Sequence, residues 1–250
     1  MTIDLHGKNV LVTGASRGIG AAIAREVGSA GARVAVHYSG NKEAANRTVQ
    51  EAGNGSMAFQ ADLRDPIACQ RLFAEVIQQF GHVDSLVNNA GICPLAPLQD
   101  EQWIAKCDEV FAVNLRAVAI LCREAVVHFR EHGGGRIVNI ASRAAFRGDT
   151  EDYLCYAASK GGVVSLSKSI ARDFGKDDIE CFVIAPGWVK TDMAKEALEQ
   201  YGEAALLEGV ALRRLTEPMD ISPMVAFLLS GLADHATGTT IDINAASYVH

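Results

Sequence analysis

The sequence predicts an α/β protein, a doubly wound sheet of about seven parallel strands with helices on both faces. Three observations carry this. Short apolar runs of strand length alternate with longer stretches of helical periodicity along nearly the whole chain. The first apolar run breaks into a glycine-rich loop that opens a helix. Polar residues then recur where strands should end, the side of an open parallel sheet that receives ligands.

Composition narrows the function. Of the 250 residues, 49% are apolar and 21% charged, the balance of a soluble globular protein rather than a disordered one. A net charge of −7 disfavours a nucleic-acid or anionic-membrane surface. No window holds the ~18 apolar residues of a membrane helix. The stretch from Met1 to His6 lacks the basic segment and long apolar run of a secretory signal. Six cysteines stand without a Cys-x-x-Cys pair, so neither a zinc site nor a disulfide framework is implied. Scattered thiols fit a reducing compartment, and the expected location is cytoplasmic. With no repeat or linker, residues 1–250 read as a single domain.

Lys8 to Thr13 is the first strand, and Gly14-Ala-Ser-Arg-Gly-Ile-Gly20 follows it before a helix from Ala21 to Ala30. Glycines allow a tight turn and close backbone approach, while a helix N-terminus offers amides to a pyrophosphate. Gly14, Ser16, Arg17, Gly18, Ile19 and Gly20 are therefore candidate cofactor contacts; the alternative is a plain βα turn. A second strand spans Ala32 to Tyr38 and a helix runs from Asn41 to Ala52. An acidic residue at this strand end would bind a ribose 2′-hydroxyl and repel a 2′-phosphate. None occurs between Ala32 and Lys42. Tyr38, Ser39, Asn41 and Lys42 stand there, with Arg17 within reach, and hydroxyls, amide and cations suit a phosphate. NADP(H) is favoured over NAD(H); the alternative is a solvated turn.

The third strand, Ser56 to Ala61, ends in Asp62-Leu63, and a helix runs from Ile67 to Phe80. Asp62 has two readings, a hydrogen bond to an adenine amino group or a cap on the local turn. A fourth strand from Val83 runs into Asn88-Asn-Ala-Gly91, small enough for backbone to approach a flat ligand, with amides able to tie adjacent strands. A long helical pattern covers residues 99–130 and contains Asn114 in an apolar setting. A buried amide needs partners. Asn114 either bonds backbone groups, or holds a water leading to Lys160, or both. His128 and His132 at the helix end complement its dipole in preference to binding metal.

Strand five, Arg136 to Ala141, delivers Ser142 to the ligand side of the sheet. Fourteen residues on comes Tyr156, four before Lys160 on one helical face. Free tyrosine titrates near pH ~10, and a neighbouring cation favours the phenolate, so the pair suits acid/base work. Tyr153 has no such partner, since residue 157 is alanine. The helix continues to Phe174, and strand six, Glu180 to Ala185, ends in Pro186-Gly187. Residues 188–215 fall outside the βα rhythm and read as a lid over the substrate. A helix from Glu217 to Ser230 and a strand from Thr239 to Ile243 complete the chain.

These motifs together resemble the short-chain dehydrogenase/reductase family over nearly the full length. They are Thr13-Gly-Ala-Ser-Arg-Gly-Ile-Gly20, Asn88-Asn-Ala-Gly91, Asn114, Ser142, Tyr156-x-x-x-Lys160 and Pro186-Gly-x-Val-x-Thr191. The resemblance is to the branch of 3-oxoacyl-acyl-carrier-protein reductases. It implies a Rossmann-type fold and hydride transfer between NADP(H) and an alcohol/ketone pair, with no metal. By it Tyr156 is the acid/base, Lys160 lowers the Tyr156 pKa and bonds the nicotinamide ribose, Ser142 binds the substrate oxygen, and Asn114 anchors a relay water. Asp62 and Leu63 would contact adenine, Asn89, Ala90 and Gly91 would lie along the cofactor, and Pro186, Gly187, Val189 and Thr191 would hold the carboxamide end. A homotetramer acting on a small carbonyl or alcohol substrate is the implied assembly. An NAD-dependent alcohol or sugar dehydrogenase, or a dinucleotide-sensing regulator on the same fold, is the alternative. The family's usual glycine after the last strand is replaced by Asn244-Ala-Ala-Ser247. Cys93 and Cys155 read as small packed side chains or reactive thiols. Arg143 and Arg147 read as solvated, or as partners for an anionic substrate.

Overall fold

The computed structural model describes residues 2–249; Met1, His250 and the side chains of Glu196, Gln200 and Tyr201 lie outside it. Among the described residues, the strands are β1 (Asn9–Val12), β2 (Arg33–Tyr38), β3 (Met57–Gln60), β4 (Ser85–Asn88), β5 (Gly135–Ile140), β6 (Ile179–Pro186) and β7 (Thr240–Ile243). They pair in parallel throughout, in the order β3-β2-β1-β4-β5-β6-β7. The helices are α1 (Gly18–Ser29), α2 (Lys42–Ala52), α3 (Pro66–Phe80), α4 (Trp103–Phe111), α5 (Ala117–Glu131), the short α6 (Ala144–Arg147), α7 (Leu154–Phe174), α8 (Lys195–Leu206) and α9 (Pro218–Leu229).

The strands are nearly unbroken apolar runs because both sheet faces are covered. Alternation sorts their side chains. Val10, Val12, Val34, Val36, Phe182 and Ile184 share one core with Ile23 and Val27 of α1 and Ile221 and Val225 of α9. Leu11, Leu86, Ile137 and Val183 share the other with Leu72 of α3, Leu121 and Phe129 of α5, and Val163 of α7. Local chemistry sets where helices start. Asp65 accepts the Ile67 N–H at 2.8 Å just ahead of Pro66, whose missing N–H costs nothing there. Glu217 and Asp220 form a reciprocal capping box at the start of α9.

The long helix expected over 99–130 is divided. Between α4 and α5, Ala112–Arg116 winds as a π-helix, and the Ala117 N–H reaches back five residues to the Ala112 carbonyl. The extra residue in that turn carries Asn114, and such turns are frequent at functional sites. Residues 188–215 include α8, whose Ala197 and Leu206 pack with Leu215 in a separate small cluster, outside both main cores.

Two further departures stand out. The cysteine reading is corrected: Cys107 of α4 and Cys155 of α7 are disulfide-bonded, with Cα atoms 5.4 Å apart and a sequence separation of 48. Spacing along the chain carries no trace of this pair, because tertiary packing alone brings α4 against α7. After β7, Ala245 and Ala246 both adopt left-handed conformations, with φ of 52° and 55°. That backbone suits glycine, so the substituted tail keeps the turn at the expense of strain.

Candidate active site

β1 pairs with β2 on one side and β4 on the other, so chain connections diverge from it in opposite directions. Ligands of such sheets bind at that switch point, beyond the carboxyl ends of the strands. A cleft of about 680 Å³ opens there.

Its first wall is the glycine loop. Gly14 has φ +62°, and a Cβ on it would lie 2.9 Å from the Ala90 Cα. A Cβ on Gly20 would overlap the Asn89 side chain and the Gly14 carbonyl. The loop is thus pressed against the turn after β4. Thr13 Oγ1 accepts the N–H groups of Asn89 and Ala90 at 2.9 and 3.0 Å, and Asn89 Nδ2 donates to the Thr13 carbonyl at 2.9 Å. Asn89 therefore serves first as a tie between the two loops. No side chain caps α1, which leaves its leading amides facing the cleft with Ser16, Arg17, Gly18 and Ile19. A bare helix N-terminus behind a tight glycine cradle fits a dinucleotide pyrophosphate.

Sequence reasoning missed His37. Its Nδ1 accepts the Gly14 N–H at 3.0 Å, so the proton sits on Nε2, which donates to the Ala61 carbonyl at 3.1 Å. Burial lowers its pKa to about 4, against the raising effect of the Ala61 bond, and the ring is neutral at pH 7. The signal was a lone imidazole inside an apolar strand.

Around the second strand end the placements diverge. Ser39 and Asn41 line the cleft, but Tyr38 does not. Tyr38 is corrected to a core residue: it is 5% exposed and packs with Val34 and Val36, which share its strand face. Asn41 also caps α2 by accepting the Ala44 N–H at 2.9 Å. Arg17 meets Asp192 at 3.2 Å across the cleft mouth. Of the two readings of Asp62, the local one is in place: it accepts from the Arg64 N–H at 3.0 Å and pairs with its guanidinium at 2.8 Å. The Arg64 hydrogen bonds lower the Asp62 pKa. Asp62 and Leu63 nonetheless border the cleft.

The floor gathers Ser142, Tyr156 and Lys160. Ser142 comes from the end of β5, and its Oγ accepts the Ala144 N–H at 3.1 Å. Its side chain lines the cleft together with Tyr156. Lys160, one turn beyond Tyr156 on α7, is 5% exposed and donates to the Ile140 carbonyl at 2.8 Å. Burial lowers its pKa to about 8. The expected lowering of the Tyr156 pKa by Lys160 is corrected. Burial dominates and pushes the phenol up, with Cys93 and Asp149 adding to it and only the Ser142 side chain opposing. A cation in a desolvated site does not offset the phenol's own loss of water when it points elsewhere.

Asn114 is fully buried. Its Oδ1 accepts the Ile92 N–H and its Nδ2 donates to the Ile92 carbonyl, each at 2.8 Å, with a longer bond of 3.3 Å to Ser159 Oγ. Both amide hydrogens are used, so the side chain acts as a tie between the π-turn, the loop after β4 and α7. The strand tie expected of the Asn88 amide links Asn88 to Asn139 of the adjacent strand at 2.8 Å, and Asn139 goes on to Ser167 at 2.8 Å.

The last wall follows β6. Pro186, Gly187, Val189 and Thr191 all line the cleft, together with Trp188. Val189 bridges to Thr216, which tethers the two ends of the 188–215 excursion. Arg143 departs from the solvated reading: it is 8% exposed and lies in the cleft wall with Arg147 and Asp149. Burial and the nearby Arg147 lower its pKa, while Asp149 opposes them. Chemically, the floor presents two hydroxyls and a buried ammonium to anything seated between the glycine loop and Trp188.

Comparison with known proteins identifies relatives of the whole chain. A family model described as short chain dehydrogenase matches residues 8–202. The chain is 37% identical to Versicolorin reductase 1 of Aspergillus parasiticus over 261 residues, covering 98% of this chain and 97% of that protein. It is 37% identical over 248 residues to the 3-oxoacyl-acyl-carrier-protein reductase FabG of Staphylococcus aureus, covering 97% and 98%. A dehydrogenase/reductase from Sinorhizobium meliloti 1021 has a TM-score of 0.90 at 36% identity, covering 99% of this chain and 98% of that one. A short chain dehydrogenase from Burkholderia cenocepacia J2315 in complex with NADP has a TM-score of 0.89 at 34% identity, covering 97% and 98%.

Proposed function

Because the chain belongs to the short-chain dehydrogenase family, and so is an NAD(P)-dependent oxidoreductase, we propose that it reduces a ketone to an alcohol with NADPH. The observation that carries this reading is the convergence of Ser142, Tyr156 and the buried Lys160 on one cleft beside the glycine loop. Both curated relatives described above are named reductases, which supports the direction. The NADP complex of the Burkholderia neighbour, the lack of an acid after β2 and the position of Arg17 support the cofactor.

NADPH, when bound, supplies the hydride. Gly14 to Gly20 and the α1 amides would hold its pyrophosphate, Arg17, Ser39 and Asn41 its adenosine end, and Val189 and Thr191 its nicotinamide end. Ser142 donates a hydrogen bond to the substrate carbonyl oxygen, where negative charge develops. Tyr156 gives its hydroxyl proton to that oxygen and is left as phenolate, to be reprotonated from water. Lys160, anchored on the Ile140 carbonyl, would hold the nicotinamide ribose. Asn114 is a positioning residue that keeps Ile92 and α7 in register.

Arg143 in the wall favours a substrate with an oxygen-rich or anionic group near its ketone, and a 3-oxoacyl thioester fits this description. Residues 188–215 act as the lid. A homotetramer is the proposed assembly.

The test is Tyr156→Phe assayed with NADPH and a 3-oxoacyl thioester. Turnover should fall ~10²–10⁴-fold, with NADPH affinity held within about twofold. Unchanged turnover removes Tyr156 from its role. Titration of wild-type protein should favour NADPH over NADH by at least ~tenfold, about 1.4 kcal/mol; parity would overturn the cofactor assignment and leave the oxidoreductase reading standing.

A further inference from the structure

His82 lies just ahead of β4, and His128 and His132 occupy the last turn of α5 and the residue after it. Spacing of four sets the two helical rings on one face. They stack with centroids 4.1 Å apart, and the His82 ring lies 4.8 Å from His128 and 5.3 Å from His132. His82 Nδ1 and His128 Nε2 are 3.0 Å apart. One ring nitrogen from each of the three lies within 4.8 Å of the others. We propose that His82, His128 and His132 form a binding site for a divalent first-row transition metal of the zinc, cobalt or nickel class, completed by water.

Imidazole is the ligand type these ions share, and three histidines with an open fourth position is an established zinc geometry. Zn–N bonds of ~2.0–2.1 Å in a tetrahedron place ligand nitrogens ~3.3 Å apart. The His82–His128 pair is already at that separation within a few tenths of an ångström. The third ring belongs to His132, which is exposed and closes the remaining gap by side-chain rotation.

The groups behind the rings are those that orient metal ligands. His132 Nδ1 meets the His128 carbonyl at 2.7 Å, so its proton sits on Nδ1 and the Nε2 lone pair is free. His82 Nε2 faces Asp84 Oδ1 at 3.7 Å, which leaves Nδ1 for the ion. Asp84 is itself fixed by Lys8 at 3.0 Å and by the Asn9 N–H at 2.8 Å. His128 Nε2 pairs with His82 Nδ1 at 3.0 Å and accepts a long bond of 3.3 Å from the Val83 N–H, contacts that bonds to a shared ion would replace. Phe73 and Phe129 back the His128 ring with apolar surface. The sequence alone suggests a dipole role for His128 and His132; the third imidazole and its carboxylate arrive from 46 residues away.

The site lies at the amino end of β4, whereas the catalytic cleft opens at the carboxyl ends of the strands. Its ion would clamp the end of α5 to the sheet without touching the reacting groups. The experiment uses full-length protein without a polyhistidine tag, stripped with chelator and titrated with Zn²⁺ by calorimetry and equilibrium dialysis. Wild type should bind one equivalent per chain, and His132→Ala and His82→Gln should each weaken this at least ~tenfold. Zn²⁺ should raise the melting temperature of wild type and not of the variants. His132 is exposed, so its variant leaves the core intact. Co²⁺ provides a second readout: visible d–d bands without a thiolate charge-transfer band support an imidazole site. A thiolate band, or equal Zn²⁺ affinity in all three proteins, would overturn the proposal.

Discussion

The Lys160 ammonium lies 5.8 Å from the centroid of the Tyr156 ring, one helical turn away, and donates to the Ile140 carbonyl. Both groups are desolvated, and desolvation pushes them in opposite directions: the phenol up, the ammonium down to about 8. Tyrosine thus stays a proton donor throughout the physiological range, while lysine is the member that titrates near it.

For activity, Lys160 carries its charge below pH about 8 and loses it above. The free-enzyme profile, kcat/KM for ketone reduction, should therefore decline above that pH. Lys160→Met should be slow and lack this inflection. A wild-type profile flat from pH ~7 to ~9.5 would remove Lys160 from the titrating role.

His37 predicts an acid-sensitive fold. Its folded pKa of about 4 lies below its ordinary value of 6.5, so the unfolded chain binds more protons between the two. Stability is full above pH 6.5 and is lost as pH falls toward 4. Between pH 7 and 5 the loss from this ring is about 2 kcal/mol. His128, lowered to about 4 by burial and by His132 and His82, acts in the same window. Denaturant titrations of wild type and His37→Gln at both pH values isolate the His37 share. An identical pH-dependent loss in the two proteins would contradict it.

The Cys107–Cys155 bond closes a loop with a sequence separation of 48 and anchors the residue next to Tyr156. Constraint of the unfolded chain by such a loop is worth about 2–4 kcal/mol. For a chain of this size that corresponds to a melting temperature lower by roughly 5–15 °C in Cys107→Ser. Thiol counting under denaturing conditions checks the bond directly. Six titratable thiols in the untreated protein, out of the six cysteines present, would mean the bond does not form.

The tail offers a gain in place of a loss. Ala245 and Ala246 hold φ of 52° and 55°. The left-handed region costs an L-residue about 1–2 kcal/mol, part of which glycine returns to its more flexible unfolded state. Ala246→Gly should raise stability by about 0.5–1 kcal/mol, read as a higher denaturant midpoint at unchanged slope. A lower midpoint would show that the alanine methyl contributes more through packing than its backbone strain costs.

Much of this protein is legible without coordinates, because strand and helix periodicity, turn chemistry and the four-residue spacing of Tyr156 and Lys160 are properties of neighbours along the chain. The parallel sheet, the glycine loop at the end of β1 and the delivery of Ser142 by β5 all follow from that local information. Even the Tyr38 error was avoidable, since Val34, Val36 and Tyr38 share strand parity and so share the core. What only the tertiary structure decided are contacts between distant segments. The Ile92 loop saturates Asn114, Arg143 is buried in the cleft wall that Arg147 and Asp149 also line, and His37 holds the glycine loop. Cys107 meets Cys155, and His82 joins the two histidines of α5. Each depends on how helices and sheet pack in three dimensions, and burial then sets the charge states that the residues themselves leave open.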